Sequence, residues 1–283
     1  MQNHDERTPT DSGATESIAE SDDDAAPRMS GVSSGDASVE NHQSKIPAHK
    51  NDRRQRHGAR NQHRHKFFVK WLLETFDFLA RPNDNENGDT DSSTRHILDV
   101  AGGKGEVSAR LCMCHSQQVV MVDPRPADIV HCFETLVLPK IPNKWQARLE
   151  EQRSKNPNFV PEIVHSRFRQ LVTTLDDHRI TESIELQAAI QEASLMLGLH
   201  ADGATEAIVD VALKYQKPFV VVPCCVFPNL FRDRRVMDTD SQEMVPVRSH
   251  EQFCQYLLAK DPRFRLETLP FEGRNIAIWW NGK

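Results

Sequence analysis

Apolar positions recur every three or four residues in HKFFVKWLLETFDFLARP, where Phe68, Trp71, Leu72, Phe76 and Leu79 share one helical face and Pro82 ends the run. Beyond a polar stretch, NDNENGDTDSST, the pattern changes to short unbroken apolar runs alternating with helical ones. RHILDVAGG reads as a buried strand entering a Gly-rich turn, EVSARLCMCHS as the next helix, and QVVMVD as a second strand ending on Asp123. Residues 143–156, NKWQARLEEQRSKN, have the pattern of an amphipathic helix in an insertion, and IVHSRFRQL has room for a short third strand. SLMLGLH is a strand; residues 204–215 follow as a helix, with Asp202 a candidate cap and Lys217-Pro218 the stop. FVVVPCC is another strand, and a helix begins after Ser249, whose spacing to Gln252 is that of a capping box.

RLETLPF and NIAIWW close the chain as two strands joined through Glu-Gly-Arg. That turn is too short for a parallel crossover, so these strands must be antiparallel. Alternating strands and helices before them imply a parallel sheet covered on both faces. The expected architecture is α/β, with a seven-stranded, mostly parallel sheet, an antiparallel last strand and helices on both sides.

Composition divides the chain. Residues 1–44 carry ten acids against two arginines and scarcely a large apolar side chain, the composition of a disordered arm. Residues 45–70 carry nine Lys/Arg against one Asp, with His49, His57, His63 and His65 interspersed. This basic block suits an RNA contact or a nuclear import signal, and equally a merely solvated charge run. The division expected is a disordered arm over 1–64, acidic to residue 44 and basic from 45, and one folded domain over 65–283. No apolar run nears the roughly 20 residues that span a bilayer, and the N-terminus lacks the pattern of a signal peptide. The expectation is a cytoplasmic or nuclear protein with reduced thiols and no membrane contact.

The chemistry concentrates in ILDVAGGKGEVSARL. A strand delivers Asp99, the chain turns through Ala101, Gly102, Gly103, Lys104 and Gly105, and a helix starts. Glycine serves there because the backbone turns sharply and a ligand can approach it without a Cβ in the way. The free N–H groups of the helix start can receive that ligand's polar groups. Asp123 lies 24 residues beyond Asp99, at the end of the next strand, where an acid can accept hydrogen bonds from both hydroxyls of a ribose. A nicotinamide fingerprint would want Gly where Ser108 stands, and the chain lacks a second domain for a hydride acceptor.

Asp99-x-Ala101-Gly102-Gly103-x-Gly105 resembles the first motif of class I S-adenosylmethionine-dependent methyltransferases, with Ala101 in place of the usual first Gly. The resemblance implies a Rossmann-like fold, a loop that cradles the methionine part of the cofactor, and Asp123 on its ribose. GLHADGATEAIVDVAL followed by FVVVPCC resembles a eukaryotic group that includes the tRNA acceptor-stem ribose 2′-O-methyltransferase and related methyltransferase-like proteins. Gly198, Leu199, His200, Gly203, Thr205, Pro223, Cys224 and Cys225 fall on that group's late motifs, and the likeness covers roughly residues 95–283. Asp202 stands where the group usually has Cys, and Val226-Phe227 replace aromatic or His residues.

The resemblance implies His200, Asp202 and Cys224 as the residues facing the substrate. His200 can serve as a general base or position a nucleophile, or simply hydrogen-bond to backbone. Cys224 and Cys225 can line the pocket or be buried structural thiols; a metal shared with His200 lacks ligand spacing, and none is assigned. RNA is the first choice of substrate. The rivals are a methyltransferase acting on a small molecule or protein, and a non-catalytic scaffold that keeps the fold.

Overall fold

The computed structural model describes residues 63–80, 95–238 and 241–283. The expected disordered acidic arm, the basic block up to residue 62 and the polar stretch before the first strand lie outside the described residues.

Nine strands are present among the described residues. They are β1 (His96–Val100), β2 (Val119–Val122), β3 (Phe168–Leu171), β4 (Ala193–Leu199), β5 (Phe219–Val222), β6 (Arg235–Met237), β7 (Met244–Pro246), β8 (Arg265–Thr268) and β9 (Ile276–Trp280). Seven form one sheet in the order β3-β2-β1-β4-β5-β9-β8, and β6 and β7 pair separately. The first five run parallel, while β9 is antiparallel to both β5 and β8. This strand order, with its antiparallel last strand between β5 and β8, is that of the Rossmann-like methyltransferase fold expected from the sequence.

Alternation along the strands explains the layering. Ile97, Val119, Leu195, Leu197, Val220 and Val222 face helix α1 (Arg64–Thr75) and α3 (Glu106–Cys114). Their neighbours Leu98, Val120, Met196, Phe219 and Val221 face the opposite way, onto α8 (Ile184–Glu192), α9 (Thr205–Lys214) and α10 (His250–Leu258). Period-two alternation inside continuous apolar runs is what a sheet covered on both faces requires. A satellite core gathers Phe133, Trp145, Leu149, Val160 and Val164 from α4 (Ile129–Cys132) with the turn after it, α5 (Asn143–Lys155) and α6 (Phe159–Arg167).

The N-terminal helical run is two elements, not one. Phe76 leaves helical geometry at φ −110° and ψ 84°, separating α1 from the short α2 (Asp77–Ala80). The displaced ring packs edge-on against Trp71 at 6.2 Å and Trp279 at 5.7 Å, so tertiary packing outweighs the helical period. Within IVHSRFRQL only the last part is strand, because Val160 and Val164 commit the earlier residues to α6. Helices α7 (Asp177–Glu182) and α8 have no counterpart in the sequence reading, although Asp176 and Ser183 cap them. The capping box at Ser249 and Gln252 forms as expected.

Asp202 does not cap α9 through its side chain. Its backbone carbonyl instead accepts a hydrogen bond from the Thr205 hydroxyl at 2.9 Å, and a one-turn 3-10 segment, Asp202–Ala204, precedes the helix.

Trp71, 6% exposed, joins α1 to the sheet through Trp279 at 5.9 Å. Trp71→Ala should cost about 3–5 kcal/mol in urea unfolding. A loss below about 1 kcal/mol would mean that α1 is not integral to the domain.

Candidate functional site

The loop after β1 is built over a buried carboxylate. Asp99 is 1% exposed and accepts a 2.6 Å hydrogen bond from the Ser108 hydroxyl, itself buried on α3. Burial, with a smaller push from nearby Asp123, raises the Asp99 carboxyl to about 7 against the opposing Ser108 bond. A Cβ on Gly102 would stand 2.6 Å from the Met121 sulfur and 2.9 Å from Asp99 Oδ2, so the backbone lies as close to β2 as glycine permits. Gly105 starts α3 at φ 81°, against Ile129. Ala101 adopts φ 55°, a left-handed conformation that costs a side-chain-bearing residue about 1–2 kcal/mol.

Gly103, at φ 61°, turns its N–H onto Asp123 Oδ2 at 2.9 Å. A Cβ there would meet no protein atom within 4 Å, so this residue faces open space. Asp123 also accepts from Arg125: backbone N at 2.9 Å and Nε at 3.2 Å on one oxygen, Nη2 at 3.4 Å on the other. Burial alone would raise this carboxyl, but those bonds outweigh it and hold it below the usual carboxylate range.

Glu106, the first residue of α3, is a buried hub. It accepts His65 Nδ1 at 3.0 Å and Lys140 Nζ at 3.1 Å, with Arg110 Nη2 at 3.5 Å. Burial works against its charge, yet the bonds from His65 and Lys140 pull the carboxyl down to about 2. The His65 contact ties α1 to the loop.

On the other side, β4 delivers His200 at φ 58° and Asp202 at φ 47°, two strained positions in three residues. His200 Nε2 lies 3.0 Å from the Arg274 carbonyl. A carbonyl only accepts, so Nε2 carries the proton and Nδ1 keeps its lone pair. Burial, reinforced by the Arg64 charge, lowers the imidazole to about 4, and it is neutral at physiological pH. Cys224 Sγ donates to Asp202 Oδ1 at 3.0 Å. Burial and then that neighbouring carboxylate push the Cys224 thiol up to about 12, and the hydrogen bond to Asp202 raises Cys225 too.

One cavity of about 750 Å³ joins these parts at the carboxyl ends of β1, β2 and β4. Ala101, Gly102, Gly103, Asp123, His200 and Asp202 all line it. Asp99 and Gly105 do not: Asp99 lies beneath the loop and Gly105 against Ile129, so both shape the turn from behind. Cys224 reaches the cavity only through its bond to Asp202. A smaller cavity of about 230 Å³ sits at the opposite strand ends, around His96, Val119 and Phe168. Open α/β sheets bind ligands at the carboxyl ends, where the larger cavity is.

Sequence reasoning missed Arg64, His65, Glu106 and Arg125 at this cavity. Arg125 had a readable signal, since an Asp bonding the N–H two residues on is an Asx turn. Arg234, just before β6, is buried. It pairs with Glu206 at 2.6 Å and stacks on Phe231 and Phe253.

No family model and no curated protein matches the chain. Solved structures similar to it include the methyltransferase domain of bacterial CtHen1, at 12% identity and a TM-score of 0.38 over 77% of this chain and 97% of that one. A mutant of MtNAS in complex with S-adenosylmethionine is 9% identical with a TM-score of 0.35, over 76% of this chain and 60% of that one. The human methyltransferase 10 domain containing protein is 8% identical with a TM-score of 0.37, over 77% and 82%. The fold assignment rests on strand order and register rather than on these distant likenesses.

Two outcomes test the loop. Because the folded Asp99 carboxyl titrates near 7 and the unfolded one near 3.9, the folded protein holds an extra proton between those values. Stability therefore falls as pH rises through that window. Unfolding of Asp99→Asn should gain on the wild type by on the order of 2–4 kcal/mol from about pH 4 to about pH 8, whereas a constant difference would contradict the buried-carboxyl account. Ala101→Gly, which relieves the left-handed strain, should stabilise the fold by about 0.5–1 kcal/mol net of its entropy cost; destabilisation would place Ala101 outside the left-handed region.

Proposed function

We propose that the chain is an S-adenosylmethionine-dependent methyltransferase whose first substrate class is RNA. The observation that carries this reading is the pairing of the Gly103 N–H with the buried Asp123 carboxylate, inside one cavity at the carboxyl ends of the strands. The fit to the cofactor is chemical. Ala101, Gly102 and Gly103 offer a backbone wall, with open space where a Gly103 side chain would stand. Asp123 is the acceptor for the ribose hydroxyls. A carboxylate has about four lone-pair positions, and Gly103 and Arg125 already supply four donors. The exposed Arg125 side chain must therefore swing aside, leaving two positions for the two hydroxyls.

S-adenosylmethionine supplies an electrophilic methyl group on a sulfonium. The chain's task is then alignment and exclusion of water rather than heavy acid–base work. His200, neutral and with its Nδ1 lone pair uncommitted to the Arg274 bond, accepts a hydrogen bond from an incoming hydroxyl and orients it. With a pKa near 4 it is a weak base, suited to positioning more than to taking a full proton. Asp202, backed by the bond from Cys224, completes that wall. Arg64 and His65, within the basic block, line the same cavity, which favours a polyanion over a neutral substrate.

Transfer of labelled methyl from S-adenosylmethionine to fractionated cellular RNA, protein and metabolites tests the reading. Label should enter RNA, fall about 100-fold in His200→Ala, and fall at least about tenfold when Arg53, Arg54, Arg56 and Arg60 are all replaced by Ala. Label in protein or metabolites alone would overturn the RNA assignment. No label in any fraction would contradict methyl transfer and favour the scaffold reading.

A further inference from the structure

We infer that Asp202, Cys224 and Cys225 form a three-ligand site for zinc at the wall of the cavity. Among the described residues these are the one group of three His, Cys, Asp or Glu donors whose ligand atoms all lie within 4.8 Å of one another. Zinc ligands stand about 2.0–2.3 Å from the metal, which puts them about 3.3–3.8 Å apart at tetrahedral angles. Cys224 Sγ and Asp202 Oδ1 are already 3.0 Å apart, so small side-chain shifts would complete the arrangement.

The backbone that carries the ligands is fixed. β4 and β5 pair through Leu199 and Val222, and the two segments leave the sheet side by side. On one flank of the cysteine pair the Pro223 carbonyl is held by His250 Nε2 at 2.9 Å. On the other the Val226 carbonyl is held by Arg234 Nη1 at 2.9 Å, and both anchoring side chains are buried. Ligands on strand ends with tied flanks meet the requirement of a preorganised site.

Two sulfurs and one carboxylate oxygen are a donor set for a borderline cation such as zinc. Magnesium and calcium prefer oxygens alone, and purely soft sites prefer copper(I). Binding exchanges the two thiol protons, which leave to solvent, for two metal–sulfur bonds. Three protein ligands rather than four are the pattern of an open zinc site, with a fourth position for water or substrate. Asp202 also lines the cavity, so that position opens beside His200. The site does not depend on the methyl-transfer reading, and its test needs no cofactor.

The reduced, chelator-stripped full chain should bind one Co²⁺. It should then show tetrahedral d–d bands in the visible and a thiolate-to-cobalt charge-transfer band in the near ultraviolet, both bleached by Zn²⁺. Cys224→Ser with Cys225→Ser should abolish the charge-transfer band and weaken binding more than about 100-fold. Asp202→Asn, which keeps both thiols, should keep the band and weaken binding at least about tenfold. Absence of the band in the folded wild-type chain would overturn the proposal. So would a band and affinity unchanged by the double substitution, which would put the ion on other thiols, or an affinity unchanged in Asp202→Asn. If the double variant does not fold, Asp202→Asn alone decides.

Discussion

The cavity end of the fold depends on a carboxylate that the protein buries against the hydroxyl and backbone of Ser108. Asp99 lies under the loop that follows β1, bonded to Ser108, and a side chain at Gly102 would run into both Asp99 and Met121. That contact sets the height of the loop over the sheet. From it follow the position of the Gly103 N–H, the left-handed start of α3 at Gly105, and the aim of Glu106 at the first residue of the helix. Burying an acid this deeply costs stability at neutral pH, shown by the rise of its pKa. The return is a loop pinned from below that presents only backbone to the cavity above.

From the loop the coupling runs outward through polar contacts of Glu106. Glu106 reaches back to His65 on α1 and sideways to Lys140, so the helix that covers one face of the sheet also closes one side of the cavity. The aromatic cluster of Trp71, Phe76 and Trp279 anchors that helix to β9, the antiparallel strand. The far wall comes from the ends of β4 and β5. There His200 and Asp202 hold left-handed conformations, and Arg234 braces the segment after the cysteine pair. Strain concentrated at strand ends beside a cavity is a recurring mark of a site held for function.

Much of this was legible in the sequence because it rests on local rules. The parallel strands are continuous apolar runs, the capping box at Ser249 is a four-residue motif, and the short final turn dictates the antiparallel hairpin. Gly102, Gly103 and Asp123 stand out as candidates by residue type and place, and all three line one cavity. What escaped reading depends on contacts between distant residues. Glu106 looks like an ordinary first-turn acid until His65, 41 positions earlier, arrives beside it. Arg234 looks like a loop cation until Glu206, Phe231 and Phe253 enclose it. Asp202 reads as a helix cap, but its side chain turns to Cys224, a choice fixed by the pairing of β4 with β5.

The proposal turns on Asp123 holding the ribose of a methyl donor whose methionine part lies against the loop above it. Calorimetric titration of the folded protein with S-adenosylmethionine and S-adenosylhomocysteine, alongside Asp123→Ala, tests it most directly. The account predicts micromolar binding of both ligands by the wild-type chain and none by the variant. No heat with either ligand, or equal binding by Asp123→Ala, would contradict it.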